Sequence, residues 1–330
     1  MNTRADPALL AHATQTIEVG SKSFAAAARL FDPGVRRSVL MLYAWCRHCD
    51  DVIDGQELGF KTSQRGQVDD AAAQLAMLYE LTRRAYAGEA MPDPAFAAFQ
   101  EVALRHKIDP RFAFDHLAGF GMDVDEVHYE TVDDLLRYCY HVAGVVGLMM
   151  ASIMGVHDDA TLDHACDLGL AFQLTNIARD IVEDAGAGRC YLPAQWLREA
   201  GIPADEIAQP RHRIALAKLA ARLVDHAEPY YASAGAGIAV LPLRSAWAIA
   251  TARNVYRQIG IEVKKRGPRA WDERVGTSKA AKLRLLARGG VSALARRWRK
   301  APARPAQLWQ RPGASSPSTP RRHGSSAAGA

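Results

Sequence analysis

Strand character is almost absent from this chain. No stretch alternates apolar and polar residues in the two-residue period of a half-buried strand, and aromatic residues make up only 8%. Sheet-based folds are therefore excluded, and with them a GxGxxG loop held behind a strand, so no NAD(P)H is expected. Long apolar runs are missing as well. The run 142–156, free of Asp, Glu, Lys, Arg and His, has fifteen residues, short of the 18 or more of a membrane span, and it reads as a buried core helix. Met1 to Asp6 lacks the basic-then-apolar layout of a signal peptide, so nothing suggests export. Cysteines number five and are scattered through helical patterns, which fits reduced thiols in a cytoplasmic compartment. Cys46 and Cys49 form a CxxC without a βαβ setting or a second ligand pair, and they read as structural. Acidic residues are missing from the C-terminal end. From Arg296 onward seven Arg and one Lys supply +8, so the rest of a chain whose net charge is +5 carries −3.

What remains is 330 residues, 49% hydrophobic and 23% charged, enough for a large core. Ala/Leu-rich segments recur at 3.6-residue spacing with Gly or Pro between them, and the expected fold class is all-α. Helices are expected over 8–31, 34–54, 66–88, 94–107, 110–121, 131–155, 158–184, 209–234, 241–265 and 277–298. No repeat of 20–50 residues appears, which leaves a compact helical bundle with a central cavity over 1–299. Residues 300–330 are rich in Pro, Ser, Ala, Gly and Arg and read as a disordered basic tail. Such a tail is drawn to anionic lipid headgroups by about 1 kcal/mol per basic residue. No nucleic-acid-binding module is recognisable, so no nucleic-acid partner is expected.

The chemistry concentrates on two acidic stripes. Asn176, Asp180 and Asp184 follow one another at steps of four within an apolar, helix-periodic segment, so their side chains stand above one another on one helical face. Like charges so placed repel. Oxygen-only donors favour a hard ion such as Mg²⁺, with Mn²⁺ as the alternative. A solvated i,i+4 pattern would look the same for one stripe alone. The helix from Gly34 carries a core stripe, Val35, Val39, Leu42, Cys46, Cys49 and Ile53, and beside it Tyr43, Arg47, Asp50 and Asp54, with Asp51 adjacent. Facing helices would bring these acids together across the cavity, at a charge density that no stable core tolerates without metal. Arg47 and Arg179 suit either a phosphate fork or a structural ion pair. Ser21 and Ser23, where one helix pattern gives way to another, suit an anion cradle or an ordinary cap. Tyr138 places a phenol ahead of a small-residue stretch, or packs as an ordinary core tyrosine.

Four blocks carry a resemblance: Tyr43 to Asp54, Tyr138 to Gly147, Gln173 to Asp184, and Arg189 to Pro193. In this order, over about residues 21–274, they resemble the squalene/phytoene synthase family. That resemblance implies a single-domain isoprenoid-synthase bundle joining two prenyl diphosphates head to head with Mg²⁺. The expected substrates are two geranylgeranyl diphosphates, giving phytoene through a cyclopropyl intermediate; a C30 homologue using farnesyl diphosphate is the alternative. A noncatalytic scaffold of the same fold is the reading from another class, and it would have lost acidic positions that are intact here. By motif position Asp50, Asp54, Asp180 and Asp184, with Asn176, resemble metal ligands. Ser21, Ser23, Arg47, Gln173 and Arg179 resemble diphosphate contacts, with Tyr256 and Arg274 as further contacts, and Tyr138 matches a tyrosine near the reacting carbons. Phe24, Val142, Val146, Leu170 and Phe172 are expected to line a dry pocket. The expected location is cytoplasmic, peripheral on the inner face of the membrane, and the sequence leaves the oligomeric state open.

Overall fold

A computed structural model describes residues 7–20, 22–57, 60–61, 68–296 and 302–314. Thirteen α-helices appear among them: α1 (Pro7–Gly20), α2 (Lys22–Ala28), α3 (Pro33–Asp54), α4 (Val68–Tyr86), α5 (Pro94–His106), α6 (Pro110–Val124), α7 (Val132–Cys139), α8 (Val145–Ile153), α9 (Asp159–Gly186), α10 (Ala194–Ala200), α11 (Arg213–Ile238), α12 (Leu243–Arg266) and α13 (Lys279–Arg296). The only strands in the described residues are two-residue pieces, Gln56–Glu57 paired antiparallel with Phe60–Lys61. The all-α expectation therefore holds. Three differences stand out: the segment expected over 8–31 comprises two helices, α1 and α2, α10 was not anticipated, and 131–155 contains a π-helical turn, Tyr140–Gly144, between α7 and α8.

Helix starts follow local chemistry. Asp93 precedes Pro94, and its Oδ1 accepts from the amides of Ala95 (2.8 Å) and Phe96 (3.1 Å). Asp158 likewise accepts from the Thr161 amide at 2.9 Å, and Thr131 with Asp134 closes a reciprocal cap at the start of α7. Each supplies a partner for amides that a helix end leaves unbonded, contributing about 1 kcal/mol. A fully buried Trp45 on α3 stacks on Phe99 of α5 with ring centroids 4.1 Å apart; of the stripe read as core, Val39, Leu42 and Cys49 are buried and Val35, Cys46 and Ile53 half-buried.

The second centre of packing is α9, which lies against α8, the π-turn, α11 and α12. Close approach is possible because Gly169 has no side chain; a Cβ there would stand 2.3 Å from the Ala143 carbonyl oxygen. The π-turn is pinned from outside by Asp115: Tyr140 donates to its Oδ2 at 2.7 Å, and the His141 ring lies 2.8 Å from its carbonyl oxygen. Val132–Ile153 is long and apolar enough to cross a membrane, yet 67% of its most apolar window is buried inside the protein. It is the core helix expected there.

The C-terminal segment overturns an expectation. Residues 302–314 are not a free tail; they pack on α9, α11 and the π-turn. Arg304 forks Asp167 with two 2.8 Å bonds, Arg311 reaches Asp163 (2.6 Å) and Asp159 (2.8 Å), and the Trp309 ring lies 5.6 Å from that of Tyr140. Composition argued against order because apolar residues are few. Ion pairs with Asp159, Asp163 and the buried Asp167 supply what apolar burial does not. The rest of the expected tail, 315–330, lies outside the described residues.

Candidate active site

A cavity of about 870 Å³ runs between α3, α8, α9, α11 and α12, within the size range of small-molecule sites. Along α9 it touches Thr161, His164, Ala165, Leu168, Gly169, Phe172, Gln173, Asn176 and Arg179, one face of the helix at steps of three and four. Eighteen residues at 1.5 Å each make that face about 27 Å long. Phe24, Val142, Val146 and Phe172 line the cavity as expected. Leu170 does not: it points to the opposite side of α9, into the core, with no exposure, and Leu168 and Gly169 take its place.

One end is polar. Tyr43 and Arg47 from α3, Gln173, Asn176 and Arg179 from α9, Tyr256 from α12 and Arg274 all face it. Tyr256 stacks on Phe172 at 4.2 Å. Burial pushes the Tyr43 phenol up to about 12, against the opposing charge of Arg47, so it enters chemistry as a neutral hydroxyl. The Asn176 amide lies 3.4 Å from Gln173 Oε1. Of the two open readings of the arginines, the structure shows the ion pairs. Arg47 Nη1 is 3.0 Å from Asp50 and its Nη2 2.7 Å from Asp51. Arg179 forks Asp180, with Nε 2.8 Å from Oδ1, and Arg274 adds a contact to Asp180 at 3.4 Å and one to Glu183 at 3.6 Å.

Among the described residues the two acidic stripes do not close into a single cluster. Among the described residues no three His, Cys, Asp or Glu side chains stand at metal-holding spacing. The physical reason is visible: each stripe is answered on its own helix by an arginine that also faces the cavity. Ser21 lies outside the described residues, and so do the side chains of Ser23 and Asp54. The donor chemistry present nonetheless fits a hard divalent ion. Burial, with Asp180 and Glu183 close by, raises the Asp184 carboxyl to about 7 against the pull of Arg189 and Arg179. A half-buried acid crowded by other acids is a site short of positive charge, and every donor is oxygen.

Tyr138 is placed apart from the other residues. It is buried and is not among the residues lining the cavity. Its hydroxyl donates to Asp123 Oδ2 at 3.1 Å, Tyr191 donates to the other oxygen at 3.1 Å, and the two rings stack at 4.9 Å. Burial, with Asp123 beside it, raises the Tyr138 phenol far above its ordinary value. Sequence reasoning missed Asp123, Asp167, Ser233 and His164; an acidic step of four at Asp159, Asp163 and Asp167 was the available signal. The CxxC thiols are free, and burial pushes both up, consistent with structural residues.

Residues 17–284 match the squalene/phytoene synthase family. The chain is 63% identical over 307 residues to a 15-cis-phytoene synthase from Pantoea ananas, covering 93% of this chain and 99% of that protein. It is 50% identical to a 15-cis-phytoene synthase from Paracoccus sp. (strain N81106 / MBIC 01143), covering 92% and 98%. Among solved structures it resembles a dehydrosqualene synthase in complex with ligand, with a TM-score of 0.77 and 29% identity over 87% of this chain and 97% of that one.

Proposed function

Because the chain belongs to the squalene/phytoene synthase family, we propose that its cavity joins two geranylgeranyl diphosphates head to head. The product is phytoene, formed through the cyclopropyl intermediate prephytoene diphosphate with loss of both diphosphates. The enzyme is a prenyltransferase. Its reaction is the one named by relatives of 63% and 50% identity that it spans nearly end to end.

The observation that carries this reading is a cavity polar at one end and apolar along the rest of α9. Arg47, Arg179 and Arg274 offer three guanidinium forks to the diphosphates, and Gln173, Asn176 and Tyr256 supply neutral partners. Asp50 and Asp54 of α3 and Asp180 and Asp184 of α9, with Asn176, would hold Mg²⁺. When bound, that ion neutralises charge developing on a departing diphosphate. Phe24, Val142, Val146 and Phe172 exclude water that would quench an allylic cation. Tyr138 keeps its own proton and gives a hydrogen bond to Asp123, which supports released diphosphate, not Tyr138, as the final base.

Length supports C20 over C15. From Asn176 to Thr161 the lining face runs about 22 Å. A geranylgeranyl chain has sixteen main-chain carbons and extends roughly 19 Å, because a zigzag of ~1.5 Å bonds advances only about 1.25 Å per bond. A farnesyl chain, roughly 14 Å on the same basis, leaves the last turns of α9 unfilled. The test is incubation of purified protein with Mg²⁺ and, separately, the C20 and C15 diphosphates, followed by hydrocarbon analysis. A C30 product alone refutes the substrate assignment.

We also infer that the protein works in the cytoplasm, as a peripheral protein on the inner face of the cell membrane. Leu283, Val291 and Leu294 are exposed at 69%, 71% and 55% on α13, beside exposed Arg284 and Arg288. After Glu273 the chain has thirteen Lys and Arg and no acid. This combination suits an anionic bilayer. Cosedimentation with anionic vesicles and none with neutral ones is the expected result; equal binding to both removes the electrostatic part.

A further inference from the structure

The end of the cavity far from the arginines contains one imidazole, His164, three turns of α9 away from Asn176. It stands where it does because Gly237 on α11 leaves room; a Cβ there would come 2.6 Å from that of His164. Its Nδ1 lies 2.8 Å from Ser233 Oγ. Ser233 in turn bonds to Asp167 Oδ2. Asp167 has no exposure and accepts the two 2.8 Å bonds of Arg304.

Donor arithmetic fixes the direction of this chain. An ionised carboxylate only accepts, so the single Ser233 proton goes to Asp167, and Ser233 Oγ is left to accept Nδ1–H of His164. Burial holds His164 below its usual range despite neighbouring Asp167, in keeping with a neutral ring. Arg304 is itself held from behind, donating to the Trp309 carbonyl oxygen at 2.6 Å, while the Trp309 amide donates to Tyr230 at 3.3 Å. Leu308 is buried beside them. One continuous set of contacts thus links 302–314 to the cavity wall.

We propose that His164 is a specificity-determining residue, a wall about 18 Å along α9 from Asn176 that the last isoprene unit of a C20 chain meets, and that Arg304, Asp167 and Ser233 are its positioning residues. A wall that can swing away contributes nothing to length selection, because the substrate must then order it on binding. Fixed through Ser233, the ring is paid for in advance. The C-terminal segment, remote from the diphosphates, thereby takes part in choosing chain length. This inference rests on the proposed condensation and concerns its selectivity alone.

The test uses the full-length protein and equimolar C20 and C15 diphosphates with Mg²⁺, reading the C40:C30 hydrocarbon ratio and separate kcat and KM values. Ser233→Ala cuts the relay while leaving the Arg304–Asp167 fork in place, and His164→Ala removes the wall without touching a buried charge. Both are expected to lower the C40:C30 ratio about 5–10-fold, through a raised KM for the C20 substrate with C15 kinetics unchanged. Arg304→Lys loses the fork and the bond to Trp309 and is expected to shift the ratio in the same direction; an unchanged ratio removes Arg304 from the positioning set. A ratio within twofold of wild type in either alanine variant overturns the inference, and so does an equal rise of KM for both substrates, which marks a merely structural role. Wild-type protein that forms neither hydrocarbon refutes the proposed reaction instead.

Discussion

Replacing Arg304 with Ala tests how the C-terminal segment is held, and its cost can be worked from the contacts. Asp167 has no exposure and three hydrogen bonds, two of them from the Arg304 guanidinium. Removing the arginine leaves a carboxylate away from water with only Ser233 as a donor. Breaking a buried pair on one side costs about 3–5 kcal/mol, more than the pair itself contributes, because the surviving charge is unpaired. Asp167→Asn added to Arg304→Ala removes that charge and keeps an acceptor for Ser233. The double variant should therefore recover about half of the loss, in a strongly nonadditive cycle. At 2–4 °C per kcal/mol for a chain of this size class, the single variant should melt roughly 10 °C lower. Urea denaturation followed by circular dichroism at pH 7.5 reads both quantities. A single-variant loss under about 1 kcal/mol, in the range of a surface pair, refutes the reasoning, as does simple addition in the double variant.

Two further outcomes follow from the site and the core. Asp50→Asn and Asp180→Asn should each lower turnover by about 10²–10³-fold with unchanged helical circular dichroism; near-normal hydrocarbon synthesis in either removes that residue from the diphosphate-activating set. Stability should also fall on the acid side through His116. Its ring is buried between Trp45 and Phe120, with Nδ1 3.3 Å from the His141 carbonyl and Nε2 unpartnered, and burial lowers it to about 4. Above an unfolded value of about 6.5 neither state binds the proton. Between about 6.5 and 4 the unfolded chain takes it and the folded chain does not, so stability declines as pH falls, by roughly 3 kcal/mol over the window. Denaturation midpoints of wild type and His116→Gln from pH 7 to 4.5 should diverge in slope; parallel curves contradict the assignment.

Much of the fold is legible because α-helical periodicity is a local property. The stripe Val35, Val39, Leu42, Cys46, Cys49 and Ile53 fixes the buried side of α3 whatever packs on it, and the start of α9 is written in Asp158. The π-turn at Tyr140–Gly144 is not, since it depends on Asp115 and on Gly169 lying opposite. The order of 302–314 also depends on distant partners. Pro, Arg and Ala in that segment resemble a linker until the three aspartates on α9, more than 130 residues away in sequence, are known to face it. Site residues show the same division. Arg47, Asn176, Arg179 and Tyr256 reach the cavity because helix register carries them there, whereas Tyr138, two residues before a π-turn, turns instead to Asp123.

Helix α9 carries two acidic runs of identical spacing, Asp159, Asp163 and Asp167 near its start and Asn176, Asp180 and Asp184 near its end. Spacing alone gives them the same claim on a cation. Their surroundings separate them. The first run sits at the positive end of the helix dipole, where anions are favoured by about 0.3–1 kcal/mol, and the chain's own Arg304 and Arg311 engage all three carboxylates. Every carboxylate of this run is therefore bonded to a guanidinium, and two of its three charges are offset. The second run lies in the last turns, where the dipole opposes anions. Arg179 and Arg274 engage Asp180, but Asp184 is still pushed up to about 7. An added cation gains most where burial and neighbouring acids hold a carboxyl up, so of two similarly spaced motifs on one helix the second is the one suited to a metal and a diphosphate, and the first is suited to holding the helix in place.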